Sequence, residues 1–306
     1  MTEDSAFFDL RDDSRVSFDR PECIHRSEKG WAELYRVERD GKFRVLKVLR
    51  SGLRGQQRYE ALLRKEYEIG YSLDHPAIRS VYSYGHSDAL GNYIEMEWVD
   101  GCSLAEYLAT HRPDVTTARR LLLQLCDALS YLHARQIVHR DIKPANILLT
   151  HNGLNVKLID FGLSDTDGHA VLKAAAGTES FAAPELIRGE AADCRADIYS
   201  LGKIFAMLLP ARKDVVRRCT DEDRDRRYPD AASVAAALRR RPWGWLPAAL
   251  LLVLAVGLVL FLLRPTVPEP DLPAETEQPE SVISDPVAID ELFRQATDMI
   301  LSGEDQ

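Results

Sequence analysis

The chain is poor in cysteine. Cys23, Cys102, Cys126, Cys194 and Cys219 are all there is in 306 residues; all precede residue 243 and none forms a CxxC pair. This excludes a thiolate zinc site of ordinary spacing and a dithiol redox pair. It suits small buried hydrophobes in a reducing compartment. A basic excess is also missing. The formal charge is −9, and from Pro265 onward eleven acidic residues face one basic residue, Arg294. That tail carries −10, so residues 1–264 sum to +1. With no aromatic-basic stripe either, nucleic-acid binding has nothing to rest on. The opening MTEDSAFFDLRDD has acids where a secretion signal needs basic residues and an apolar core. Glycine is scarce where two strands close around a turn. The stretch RSEKGWAELYRVERDGKFRVLK, Arg26 to Lys47, has only Gly30 at its tip.

What is present is 45% hydrophobic content, enough for one large domain or two small ones. Trp243 to Leu263, WGWLPAALLLVLAVGLVLFLL, runs twenty-one residues without a charge. At ~1.5 Å per residue it covers the ~30 Å hydrocarbon core of a bilayer. A buried core helix is the alternative, but such helices keep a polar face. Arg239, Arg240 and Arg241 precede the run and Arg264 follows alone. The positive-inside rule therefore predicts residues 1–242 in the cytoplasm, a single-pass inner-membrane span at 243–263, and the acidic tail outside. The tail opens Pro- and Glu-rich and should be extended. DPVAIDELFRQATDMIL then offers Asp285 as N-cap and Pro286 at the first position of a short amphipathic helix, 286–301.

The strongest chemical signal is HRDIKPANILL, His139 to Leu149, with LIDFG, Leu158 to Gly162, about twenty residues on. In order and spacing these motifs resemble the catalytic loop and metal-binding motif of the eukaryotic-type (Hanks-type) serine/threonine protein kinases. The resemblance extends over about 220 of the 306 residues. It implies an α+β, two-lobed protein-kinase-like fold at residues 21–240 after an N-terminal extension. Five antiparallel strands and one helix would fill the first lobe, to about residue 100–110, and helices the second.

By the same resemblance Asp141 accepts the proton of the substrate hydroxyl and Lys143 contacts the transferred phosphate. Asn146 and Asp160 hold magnesium ions that bridge the phosphates of ATP. An amide and a carboxylate completed by phosphate oxygens and water suit that hard cation. Lys47, in RVLK, pairs with the α- and β-phosphates. Its helix partner is Glu66; the rival Glu68 lies about 200° around the helix and faces elsewhere. Met96 is the gatekeeper of a hinge whose backbone, at Glu97 and Val99, meets adenine. Ser103 caps the helix that follows. Val45 lies above the base, and Leu148 is a further nucleotide-binding position. Val45 replaces the usual alanine. Asp197 in DIYSLG braces the catalytic loop, and Arg227 pairs with Glu185 of the APE triplet.

Against the family's GxGxxGxV loop the hairpin reads SEKGWAEL. Ser27, Lys29 and Ala32 take the glycine positions, Leu34 the valine, and Gly30 is off-pattern. Side chains at those sites add bulk and stiffness where backbone N–H groups should approach phosphate. Lys29 either points an ammonium at the phosphates or points to solvent. Gly70 stands where a larger apolar residue completes a stack with Phe161 and His139. This predicts a cavity and a loosened Glu66 helix.

Two features bear on regulation. AVLKAAA, upstream of Gly177-Thr178, has no hydroxyl, so activation should not require a phosphate between Ala170 and Ala176. After SLGKIFAMLLPARK the chain runs straight into DVVRRCTDEDRDRRYP, where members of the family it resembles carry a further helix and loops, and this predicts a compact second lobe. The reading is a membrane-anchored, ATP- and Mg-dependent kinase of protein serine and threonine, of a bacterial signalling type. A pseudokinase scaffold, favoured by the missing glycines, stays open. So does a small-molecule or lipid kinase. A partner protein for the outer tail and a homodimer stay open too.

Overall fold

The structure is a computed structural model and describes residues 18, 21–26, 30–161, 180–240, 246–263 and 294. The chain divides into two compact units, Met1–Pro242 and Trp243–Gln306.

The first unit opens with strands β1 (Glu22–Arg26), β2 (Ala32–Arg39) and β3 (Lys42–Leu49). Helix α1 (Gln57–Tyr71) follows, then β4 (Val81–Ser87) and β5 (Gly91–Glu97). These strands form one antiparallel sheet in the order β1-β2-β3-β5-β4. The stretch read as two strands is therefore three. Asp40 and Gly41, with φ of 51° and 70°, close a second two-residue hairpin that puts Lys47 on β3. Positive φ at both positions matches the right-handed twist of the strands it joins.

The sheet buries both faces. Val37, Leu46, Val48 and Tyr93 pack on one side, and Val45, Leu49, Ile94 and Met96 on the other with Leu63 of α1. Period-two alternation along β3 thus sends Val45 and Lys47 to the same side. The helix α1 buries Leu63, Glu66 and Gly70, three and four residues apart, as one stripe.

The second lobe starts with β6 (Gly101–Ser103) and α2 (Leu104–Thr110). Ser103 caps α2 through a reciprocal box with Glu106. Helix α3 (Val115–His133), capped by Asp114, contributes Leu121, Leu122, Leu125, Cys126, Leu129 and Leu132 to the main core. Strands β7 (Ile147–Thr150) and β8 (Val156–Leu158) complete a small sheet with β6. Helices α4 (Pro184–Arg188), α5 (Arg195–Leu208), α6 (Lys213–Cys219) and α7 (Ala231–Arg239) finish the lobe. Only residues 209–212 separate α5 from α6, the compact connection that the sequence predicted. Of the cysteines, Cys126 and Cys219 are buried. Cys102 and Cys194 are half-buried and Cys23 is exposed on β1, so burial accounts for only part of the set.

The second unit contains α8 (Leu246–Leu262), seventeen residues long. Among the described residues no helix is long and apolar enough to cross a membrane. The expected span of twenty-one residues includes Trp243, Gly244 and Trp245, which lie outside the described residues. The expected tail helix 286–301 also lies outside them, apart from Arg294, which is helical.

Candidate active site

Sheet and helix first bring together three charged groups far apart in sequence. Lys47 Nζ donates to Glu66 Oε1 and Oε2 at 2.6 and 2.7 Å and to Asp160 Oδ1 at 3.0 Å. Lys47 and Glu66 are buried, and Glu68 is exposed. Burial alone would push the Lys47 ammonium down, but the Asp160 and Glu66 carboxylates outweigh it and hold its pKa above the usual lysine value. The Trp31 ring lies 4.8 Å from Lys47 Nζ and covers it from the tip of the β1–β2 hairpin.

The catalytic-loop residues come from the stretch between α3 and β7. Asp141 is buried. Its Oδ2 accepts from Lys143 Nζ at 2.7 Å and from Asn146 Nδ2 at 2.7 Å. Asn146 Nδ2 also donates to the Asp141 carbonyl at 2.9 Å. The other oxygen, Oδ1, is buried with no hydrogen-bond partner. Burial drives the Asp141 pKa above the usual carboxylate range, with Lys143 pulling against it. The carboxylate is thus clamped on one oxygen and left proton-hungry on the other.

This loop is held from below. Asp197, fully buried in the first turn of α5, accepts the backbone N–H groups of His139 and Arg140, each at 2.8 Å, and the His133 ring nitrogen at 2.9 Å. Arg140 and Asp160 both adopt positive φ, 63° and 70°. Such backbone strain in non-glycine residues persists only where surrounding bonds over-determine it. The Ile159 N–H donates to the Asn146 carbonyl at 3.0 Å, tying the segment before Asp160 to the loop. The His139 and Phe161 rings touch at 5.2 Å between centroids. Behind α4, Arg227 forks onto Glu185 at 2.6 and 2.9 Å.

The remaining candidates line the roof, the hinge and the floor. Leu34 lies opposite Lys47, and Val45 opposite Met96, so all four share one face of the sheet. Val99 is buried, and its N–H makes no hydrogen bond among the described residues. The Glu97 side chain takes Lys157 at 2.9 Å. Leu148 sits half-buried on β7, opposite Ser103. The Gly30 carbonyl accepts from Arg50 at 3.2 Å, which fixes the end of the hairpin tip. Ser27 and Lys29 lie outside the described residues, as does the segment 162–179 with Ala170–Ala176.

One expectation is corrected. Gly70 leaves no void, because a Cβ built there would lie 2.6 Å from Val81 Cγ2. Val81 of β4 fills the space, so the small residue and its large neighbour are complementary. Sequence reasoning also missed two residues. Trp31, inside SEKGWAEL, carries no assigned role in the sequence. Arg79, just before β4, is buried with its Nη2 on Met96 Sδ at 3.1 Å. Burial draws its guanidinium below the usual arginine value, and Asp160, Glu66 and Glu97 pull it back. Its only sequence signal is a cation inside the apolar run that follows His75-Pro76.

The sequence model described as "protein kinase domain" matches residues 29–235. The chain belongs to the protein kinase family. A probable serine/threonine-protein kinase of Streptomyces coelicolor is 39% identical over 201 residues, 61% of this chain and 29% of that protein. PknB of Mycobacterium tuberculosis, a serine/threonine-protein kinase, is 36% identical over 193 residues, 60% of this chain and 30% of its own length. The aligned part of this kinase chain thus spans under a third of the curated relatives it matches. Among solved structures, the Mycobacterium tuberculosis PknI kinase domain superposes with a TM-score of 0.57 at 25% identity. That match covers 74% of this chain and 97% of that domain. Two lobes, a sheet-rich first and a helical second, are the fold of this kinase.

Proposed function

We propose that the protein is an ATP- and magnesium-dependent kinase that phosphorylates serine or threonine in protein substrates. The observation carrying this reading is Asp141. A buried carboxylate oxygen without a partner, beside a carboxylate–ammonium pair, is costly unless something fills it. A substrate hydroxyl would fill it. Asp141 Oδ1 would accept the hydroxyl proton while Lys143 and Asn146 keep Oδ2 fixed, so the base is oriented before the substrate arrives.

The residues present fit the nucleotide and metal. The buried, unpartnered Val99 N–H is a donor for an adenine edge, with Val45 and Leu148 as apolar faces. Lys47, held between two carboxylates, is a fixed cation for the phosphates. Asn146 gives its amide N–H to Asp141, leaving a carbonyl oxygen, which with the Asp160 carboxylate makes a hard donor set. Magnesium bound there would neutralise charge on the transferring phosphoryl group. The protein's own part is positioning and electrostatics. Asp197 holds the loop, Glu66 holds Lys47, and the Arg227–Glu185 fork holds the APE segment on which peptides would lie.

Membrane anchoring belongs to this proposal. Residues 251–263 of the second unit are exposed and uncharged on every side, and water does not favour such a helix. The three arginines ahead of it support a cytoplasmic kinase domain.

A scaffold without catalysis is the second reading. Its support is Trp31 lying on Lys47 together with side chains at the glycine positions. Magnesium-dependent autophosphorylation with radiolabelled ATP separates the two. Labelling in wild type that is lost in Asp141→Asn supports the kinase. Equal labelling in both, or none in either, supports the scaffold.

A further inference from the structure

Arg79 has no place in the scheme above. Its side chain is buried, 6% of the residue is exposed, and its one hydrogen-bond acceptor is the Met96 thioether. A guanidinium has five donors, and sulfur is a weak acceptor. Among the described residues no carboxylate lies within ion-pair distance of it. Glu97, one nearby acid, is taken by Lys157. Glu66 and Asp160 are taken by Lys47. Yet Arg79, Glu66, Met96, Asp160 and Phe161 line one cavity of about 10 Å³, the space of a single water centre. A buried cation therefore shares one cavity with the two carboxylates that pair with Lys47.

The charge count changes with it. Lys47, Glu66 and Asp160 alone carry a net negative charge. With Arg79 the quartet is neutral. A divalent cation approaching Asp160 meets no net attraction from the quartet, whereas the three groups without Arg79 would attract it. The metal–nucleotide complex is itself anionic and carries no such penalty.

We propose that Arg79 is a positioning residue that depresses the affinity of Asp160 for free divalent metal, so that metal enters with the nucleotide phosphates. The inference rests on Asp160 being the metal ligand of the proposed reaction. The interaction is long-range Coulombic between a buried guanidinium and a carboxylate whose side chain is 42% exposed, and even under water-like screening one charge several ångströms from a divalent site shifts its affinity by about tenfold.

The test titrates the nucleotide-free full chain in detergent with Mn²⁺ alone, reading bound metal by electron paramagnetic resonance. In Arg79→Met the half-saturating Mn²⁺ concentration falls about tenfold. Arg79→Gln, equally neutral but polar, shifts the same way and carries the test should the methionine variant fail to fold. Arg79→Lys keeps the charge and stays within about twofold of wild type. Placed in an Asp160→Asn background, Arg79→Met leaves Mn²⁺ binding unchanged. Neutral variants that bind Mn²⁺ no tighter than wild type overturn the inference. So does a shift in Arg79→Lys as large as in Arg79→Met, or a shift that survives Asp160→Asn. Phosphoryl transfer is measured separately. Absence of labelling in wild type with the Mn²⁺ shift intact overturns the kinase reading alone, and wild-type labelling with no Mn²⁺ shift overturns the Arg79 inference alone.

Discussion

Replacing Arg227 by alanine probes how the second lobe holds the segment around Glu185. The guanidinium and the Glu185 carboxylate are 0% and 3% exposed and form a fork of two short bonds. The same guanidinium also donates to the carbonyls of Asp221 at 2.8 Å, Arg195 at 3.0 Å and Glu222 at 3.3 Å. Alanine strands a buried carboxylate and removes three further donors. Breaking a buried pair from one side costs about 3–5 kcal/mol. With a urea m-value of about 2–3 kcal/mol/M, the midpoint falls by about 1–2.5 M at unchanged m.

The pH dependence follows from the sign of the Glu185 shift. Burial pushes this carboxyl up, but hydrogen bonding and charge from Arg227 outweigh it, and its folded pKa lies below the usual value. The pair therefore contributes stability that is present above the unfolded value, about 4.3, and is lost as pH falls through the folded one. In Arg227→Ala the stranded carboxyl is instead held up by burial, and protonation relieves it. The gap between wild type and variant should be widest near neutrality and narrow in acid. Replacing both partners, Arg227→Met with Glu185→Met, should cost less than Arg227→Ala alone, because no charge is left buried. A single-variant cost under about 1 kcal/mol, or a double variant as damaged as the single, would refute the reasoning.

Asp141→Asn should lower the rate of phosphoryl transfer by about 10²–10⁴ with nucleotide binding retained, checked by single-turnover labelling and calorimetry. Glu66→Gln removes a charge-assisted partner of Lys47 worth about 1.5–3 kcal/mol, so kcat/KM for ATP should fall about 10–100-fold; an unchanged value would mean that Asp160 alone positions Lys47. Gly70→Leu should destabilise the first lobe by about 1–3 kcal/mol through overpacking against Val81, and Val81→Ala in the same chain should recover much of the loss in thermal unfolding. Recovery that fails would place the clash elsewhere.

Much of this kinase is written locally. The triplet at 139–141, Asn146 and Asp160 sit on a short stretch whose spacing alone brings them near one another. The choice of Glu66 over Glu68 needed only the helical period. Capping by Ser103 needed only Glu106 three residues on. The Asp40-Gly41 turn carries a local dipeptide signal too, and with the turn at Gly30 it divides that stretch among three strands rather than two.

What the linear chain withheld depends on which side chains meet across elements. Gly70 looked like a defect because its neighbour in space, Val81, lies on another element eleven residues away. Arg79 has no signal but a charge in an apolar run; only the pairing of β4 with β5 sets it beside Met96. Trp31 gained meaning when β2 paired with β3 and set its ring over Lys47. Sequence determined the family, the candidate reacting groups and their local geometry, since these rest on spacing along one chain. Tertiary structure decided the electrostatic balance around them, since Coulomb energy depends on distance through space and on exclusion of water, and neither is a property of order along the backbone.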